Sequence, residues 1–258
     1  MTLTNGAADT WIRRFHPAPA ARVRLVCLPH AGGSASYWYP MSTAVVPDVD
    51  VLAVQYPGRQ DRRHEPCVET IETLADLVTE ALLPYRDLPV ALFGHSMGAV
   101  VGFEVARRLE ALGTPAAILF ASGRRAPSRH RDEDVHLRGV DGLVAELRKL
   151  DGTNPRALQD PELLQMILPA VRADYRAVET YRYRPGPPLS CPIHALVGDD
   201  DEKATVEEAR AWREHTVGGA ELDVFPGGHF YLTQHQAAIV RLVTDRLLSP
   251  MASSTGQR

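Results

Sequence analysis

The sequence predicts an α/β fold: a mostly parallel central sheet with helices on both faces. Three observations predict it. Short apolar runs recur along the chain, segments of helical spacing lie between them, and Gly or Pro punctuates most junctions. The runs are Val23–Leu28, Val51–Tyr56, Val90–Phe93, Ala116–Ala121, Ile193–Val197 and Leu222–Phe225. Each is nearly continuous in apolar residues, which suits strands buried on both faces, as parallel strands are.

The helical segments follow from their spacing. Ile71, Leu74, Leu77, Val78 and Leu82 fall on one face of a helical period over 71–83. Val100–Leu112 and Ile239–Leu248 read the same way. From about 124 to 188 the alternation breaks, leaving charged, helix-forming sequence with turn signals and no strand pattern. A structureless loop of that length does not belong inside a compact domain. A helical insertion over 124–188 is expected instead, with short helices at Asp141–Leu150, Pro161–Leu168 and Pro169–Tyr181. The chain, 1–258, is expected to form one domain around it, ending in a disordered polar tail over 249–258.

Composition bounds the function. With 45% hydrophobic and 23% charged residues, the chain is neither disordered nor fibrous. A net charge of -4 argues against a general nucleic-acid binder, whose footprint is strongly basic. Cys27, Cys67 and Cys191 are odd in number, and no pair sits at metal-ligand spacing. They read as reduced thiols of a cytoplasmic protein. The first twenty residues carry Asp9, Arg13, Arg14 and His16 and lack the apolar stretch of a secretory signal. No run approaches the ~18 apolar residues that span a bilayer, so no membrane partner is expected.

The strongest chemical signal is Gly94-His95-Ser96-Met97-Gly98, set between the run Val90–Phe93 and the helical stretch that follows. This is G-x-S-x-G in its strand–turn–helix context. The turn lifts the serine oxygen clear of the sheet. It also leaves the backbone N–H of Met97, at the start of a helix, free for a developing oxyanion. A serine hydroxyl needs a base, and in enzymes with this elbow an acid and then a histidine follow in the chain. Gly198-Asp199-Asp200-Asp201 follows one predicted strand, and Pro226-Gly227-Gly228-His229 follows another. Loops beyond the carboxyl ends of parallel strands are where such sheets build sites. His229 combines a strand end, a glycine-rich turn and the right order; His95, His130, His136, His194 and His235 do not. The residues alone leave the acid open between Asp201 and Asp199.

The first strand runs into Leu28-Pro29-His30-Ala31-Gly32-Gly33-Ser34, a glycine-rich turn able to supply a second oxyanion N–H. Ala31 is the candidate donor, with Gly32 next to it. The spacing lacks the G-x-G-x-x-G of a dinucleotide loop. His130-Arg131-Asp132-Glu133-Asp134-Val135-His136 offers metal-ligand types, but it reads as a solvated charge run. No metal and no cofactor is implied.

Taken together these segments resemble the stand-alone, type II thioesterases of polyketide and nonribosomal peptide assembly lines. The resemblance runs from about Trp11 to Leu248. It is also carried by Gln55-Tyr56-Pro57-Gly58-Arg59, Ser122-Gly123-Arg124-Arg125-Ala126-Pro127, Arg172-Ala173-Asp174-Tyr175, Glu179-Thr180-Tyr181 and Gly227-Gly228-His229-Phe230. It implies an α/β-hydrolase fold with a helical lid on the 124–188 insertion. It implies a Ser96-His229-Asp201 triad, because the family's acid stands three residues after the glycine of its G-x-x-D turn. It implies thioester hydrolysis on the phosphopantetheine arm of acyl carrier protein domains. Separately, a monomer is expected. Met97, Tyr37, Tyr39, Phe230 and Tyr231 are candidates for an apolar acyl chamber. Arg59, Arg62, Arg63, Arg124, Arg125, Arg129 and Arg131 could form a basic face for acidic carriers. A general serine esterase acting on small diffusible substrates shares the same triad.

Overall fold

The computed structural model describes residues 10–150 and 158–249. Its seven strands are β1 (Ile12–Arg13), β2 (Val23–Leu28), β3 (Val49–Val54), β4 (Val90–His95), β5 (Leu119–Ser122), β6 (Ile193–Gly198) and β7 (Ala220–Phe225). They form one sheet in the order β1-β3-β2-β4-β5-β6-β7. All pairs are parallel except β1 with β3. The two-residue β1 has no apolar run to announce it, and Ile12 and Arg13 pair with Val54 and Ala53 at the sheet edge.

Side-chain alternation along the strands splits the core into two layers. Val26, Leu28, Leu52, Val54 and Leu92 point to one face, against α2 (Ile71–Leu82) and α3 (Met97–Ala111). Leu25, Cys27, Val51, Ala53 and Phe93 point to the other, against α1 (Tyr39–Val45) and, near the end of the chain, Ile239 and Val243. Helices therefore cover both faces, and β3 to β6 are buried along their whole length. At the far edge β7 is half exposed, which departs from the expectation of strands buried on both faces. An edge strand has a neighbour on one side only.

Between β5 and β6 lie α4 (Val140–Leu150) and α5 (Pro161–Thr180). The break expected at Pro169 is absent: α5 is one helix of 20 residues with Pro169 inside it. Proline removes one donor and presses on the preceding turn. Here the half that follows is buried through Ala170, Val171, Ala173, Tyr175, Ala177 and Val178, and that packing holds the helix together. Asp160 caps its start, accepting from the N–H groups of Glu162 (2.9 Å) and Leu163 (3.3 Å). After β6 the chain forms α6 (Val206–Arg210), β7, α7 (Tyr231–Gln234) and α8 (Gln236–Leu248). The expected disordered tail lies, apart from Ser249, outside the described residues.

Candidate active site

Three loops at the carboxyl ends of β4, β6 and β7 meet at one point. Ser96 stands between β4 and α3 with φ 55° and ψ −116°, a backbone conformation that side-chain-bearing residues rarely adopt. The flanking glycines make the turn possible. A Cβ on Gly94 would lie 2.1 Å from the Gly98 carbonyl oxygen, and one on Gly98 would lie 2.1 Å from that of Leu28. The Ser96 N–H donates to the Ser122 carbonyl at 2.8 Å, which ties the elbow to β5.

The Ser96 Oγ is 2.9 Å from His229 Nε2, and His229 Nδ1 is 2.9 Å from both carboxylate oxygens of Asp201. Asp201 and His229 are both buried, and the carboxylate also accepts from the Lys203 N–H at 2.8 Å. The neighbouring aspartates do other things. Asp199 accepts from the Gly227 N–H at 2.8 Å and so braces the turn that delivers His229. Asp200 is exposed and lines the outer cleft beside His229. A proton on Nδ1 directed at Asp201 leaves Nε2 as the acceptor for the serine hydroxyl.

Two backbone donors near the serine are without acceptors of their own among the described residues. Met97 opens α3, so its N–H belongs to the first turn and has no helical partner. The Ala31 N–H likewise has no acceptor, whereas that of Gly32 is taken by Asp174 Oδ2 at 2.7 Å.

Residues 23–247 match the family model described as the thioesterase domain. This chain belongs to the thioesterase domain family. It is similar to thioesterase PikA5 of Streptomyces venezuelae, 52% identical over 246 residues covering 95% of this chain and 88% of that protein. A probable cadicidin biosynthesis thioesterase of Streptomyces griseus is 54% identical over 239 residues. That match covers 93% of this chain but 66% of the relative, so the chain spans just under two thirds of that longer protein. Among solved structures, the type II thioesterase BorB from the borrelidin biosynthetic cluster superposes with a TM-score of 0.88 at 56% identity. It covers 93% of this chain and 98% of its own. The chain is a type II thioesterase of α/β-hydrolase fold.

Around the thioesterase's serine the histidines sort by burial. His30 and His95 are fully enclosed, and burial, together with the charge that His229 can carry, drives both far below the ordinary histidine range, His30 to about 3. They stay neutral beside His229. His95 Nδ1 lies 3.0 Å from Ser122 Oγ, which lies 2.6 Å from the Tyr231 hydroxyl. His30 packs edge-on against Tyr37 and Phe230. His194 faces Asp223 at 2.6 Å on the sheet, away from the serine.

Above Ser96 the described residues enclose a cavity of about 20 Å³, lined by His30, Ala31, Ser96, Leu147, Leu150, Tyr175, His229 and Phe230. That is room for a water molecule, and an outer cleft of about 380 Å³ adjoins it, sharing Leu150, His229 and Phe230. Of the five residues expected to line an acyl chamber, Phe230 lines this cavity, and Phe230 and Tyr231 line the adjoining cleft. Tyr231 and Met97 are core, Tyr37 packs on His30, and Tyr39 is half exposed. The insertion supplies Leu147, Leu150 and Tyr175, which the sequence hides because their spacing reads as an ordinary amphipathic face.

The expected basic face is not there. Arg59, Arg62 and Arg125 are buried against Asp174, Glu65 and Glu133, and Arg124 is buried as well. Arg129 and Arg131 pair with Glu214 and Glu208, leaving Arg63 exposed. The carboxylates that take Arg59, Arg129 and Arg131 come from distant parts of the chain, so these charges are paired within the fold. Among the described residues no cluster of His, Cys, Asp and Glu could hold a metal, and no helix is long and apolar enough to cross a membrane.

Proposed function

We propose that this thioesterase hydrolyses acyl thioesters held on the phosphopantetheine arm of acyl carrier protein domains, clearing stalled polyketide or nonribosomal peptide synthases. The observation that carries the reading is the unbroken line Asp201–His229–Ser96, each link 2.9 Å, ending at a strained elbow. His229 Nε2 takes the Ser96 proton as Oγ bonds to the thioester carbon. Met97 and Ala31 N–H groups hold the oxyanion. The C–S bond breaks, the thiolate takes the proton from His229, and acyl-Ser96 remains. A water molecule, deprotonated by the same nitrogen, then releases the carboxylic acid and restores Ser96. Asp201 fixes the tautomer and stabilises the imidazolium throughout.

The insertion over 124–188 acts as the lid, because its Leu147, Leu150 and Tyr175 line the small cavity over Ser96. A long flexible arm suits a serine at the bottom of such a site. All three side chains come from one chain, which supports a monomer, and three unpaired cysteines support a cytoplasmic location.

Intact-mass spectrometry of acetyl- and propionyl-carrier proteins, run beside the matching acyl-pantetheines, tests the reading. The wild type is expected to unload carriers faster than pantetheines, and Ser96→Ala to lose about 10⁵-fold or more in kcat while remaining folded. Equal turnover of small thioesters would make the protein a general esterase. Retained activity in Ser96→Ala would remove the mechanism altogether.

A further inference from the structure

Asp174, on the face of α5 turned toward the sheet, is 1% exposed and is occupied on both oxygens. Oδ2 accepts from the Gly32 N–H at 2.7 Å and from Arg59 Nη1 at 2.5 Å; Oδ1 accepts from Arg59 Nη2 at 2.9 Å. Arg59 Nη1 also donates to the Gly33 carbonyl at 3.1 Å, and Arg59 Nε to that of Pro57 at 3.2 Å. The pair therefore grips the Gly32–Gly33 segment at both ends, by an N–H and by a carbonyl. α5 is seated directly on this loop: a Cβ on Gly32, whose φ is +76°, would lie 2.8 Å from Val171 Cγ2.

Two adjacent glycines are the least constrained backbone a chain can have. A backbone N–H stabilises a developing oxyanion well only when its direction is set before the reaction. Within the loop, the Gly33 N–H to His30 carbonyl turn (2.9 Å) holds the peptide plane that carries the Ala31 N–H. The grip from outside holds that turn, because Asp174 and Arg59 fix the Gly32 N–H and the Gly33 carbonyl. Holding the Gly32 N–H fixes the peptide plane that follows Ala31 and removes Gly32 as a rival donor. Burial opposes the Arg59 charge, and the Asp174 carboxylate more than offsets it, so the guanidinium stays charged and its two forked bonds persist.

We infer that Asp174, acting with Arg59, is a positioning residue for the oxyanion hole, and that it holds the Ala31 N–H in place only while α5 is seated. Closing the lid and completing the hole are then one event. A thioester carbonyl meets a finished hole only after the insertion has closed over it, which limits reaction in the open, wet site. The inference rests on the acyl-Ser96 reading above.

The test compares the wild type with Asp174→Asn and with the double variant Asp174→Ala/Arg59→Met, which removes both buried charges and leaves neither unpaired. Each is assayed for kcat and KM on propionyl-pantetheine, for thermal unfolding, and for affinity toward a propionyl-pantetheine trifluoromethyl ketone. That ketone forms a hemiketal with the nucleophilic serine and places an oxyanion in the hole. The double variant is expected to lose about 100-fold in kcat and about 100-fold in ketone affinity, with KM within about 3-fold. Asp174→Asn, which keeps an acceptor for Gly32, is expected to lose about 10-fold in both. Parallel losses are what a positioning role requires. Loss of kcat with unchanged ketone affinity, or no loss in either folded variant, would overturn it. Ser96→Ala, expected to form no ketone adduct and to turn nothing over, separates the two levels. Activity there would sink the serine reading, whereas an inactive Ser96→Ala beside fully active Asp174 variants would sink the positioning pair alone.

Discussion

The loops that carry Ser96, Asp201 and His229 and the insertion that covers them are held by different physics. The loops are backbone continuations of buried strands, fixed by main-chain hydrogen bonds and by glycines pressed against carbonyls. The insertion is held by its side chains: Ala177, Val178 and Tyr181 join the core, and ion pairs tie other parts to one another and to the loops. Lys203 reaches Glu133 (3.3 Å) and Glu146 (2.5 Å), Arg125 meets Glu133, Arg138 meets Glu146 at 3.1 Å, and Arg59 meets Asp174. Lys149 pairs with Glu202 across the mouth of the outer cleft. Strand-end geometry does not relax without unfolding the sheet. Exposed ion pairs exchange partners with water at little net cost, so the parts of the cover that they fasten can lift while the floor stays put.

The comparison is broken most severely by attacking the floor. Phe93 lies under the elbow, fully buried between Trp38 and Phe120. Phe93→Ala should cost about 3–5 kcal/mol, read as a shift in the denaturant midpoint. A loss below 1 kcal/mol would mean the floor is less rigid than its packing implies.

Acid should separate the two regions by order. His30 belongs to the floor, and its folded pKa of about 3 lies below the ordinary 6.5. Its unfolded form therefore binds more protons between those values, and stability is full above pH 6.5 and falls as pH drops. At pH 5 the loss from this group is about 2 kcal/mol. Glu133 belongs to the cover; burial works against its charge, but Arg125 and Lys203 hold it down to about 2. Its contribution is full above 4.5 and is lost only as pH falls from there toward 2. Urea denaturation at successive pH values should show the floor weakening first, below pH 6.5. Flat stability down to pH 4.5 would contradict this.

The smallest effect is expected in the cover. Lys203→Met removes two ion pairs but keeps the backbone N–H that Asp201 accepts, so stability should fall by about 1 kcal/mol and kcat should hold within about 3-fold. Amide exchange along α4, which carries Glu146, should speed up, and unchanged exchange would show that the charges do not fasten this part of the insertion.

The same division explains what could be read in the sequence. The parallel strands were legible because burial on both faces writes continuous apolar runs, and the predicted and observed β2 coincide at Val23–Leu28. The elbow, the aspartate loop and the histidine loop were legible because strand ends and glycine turns are local features. The bracing of the His229 turn by Asp199 was not, because three successive aspartates differ only in where the turn points them. The continuity of α5 through Pro169 was hidden too, since tertiary packing overrides a local breaker. The arginines misled for the same reason: a charge shows in a sequence, but its partner 115 residues away, as with Arg59 and Asp174, does not.

Ser96 keeps its place at φ 55° against the preference of its own backbone. Such a conformation costs of order 1–3 kcal/mol, and glycine would relieve most of it. The position that carries the nucleophile is thus also one where the chain gains stability by abandoning it. A selection for heat resistance alone, blind to turnover, would favour replacing Ser96 with glycine and would deliver a sturdier protein that hydrolyses nothing.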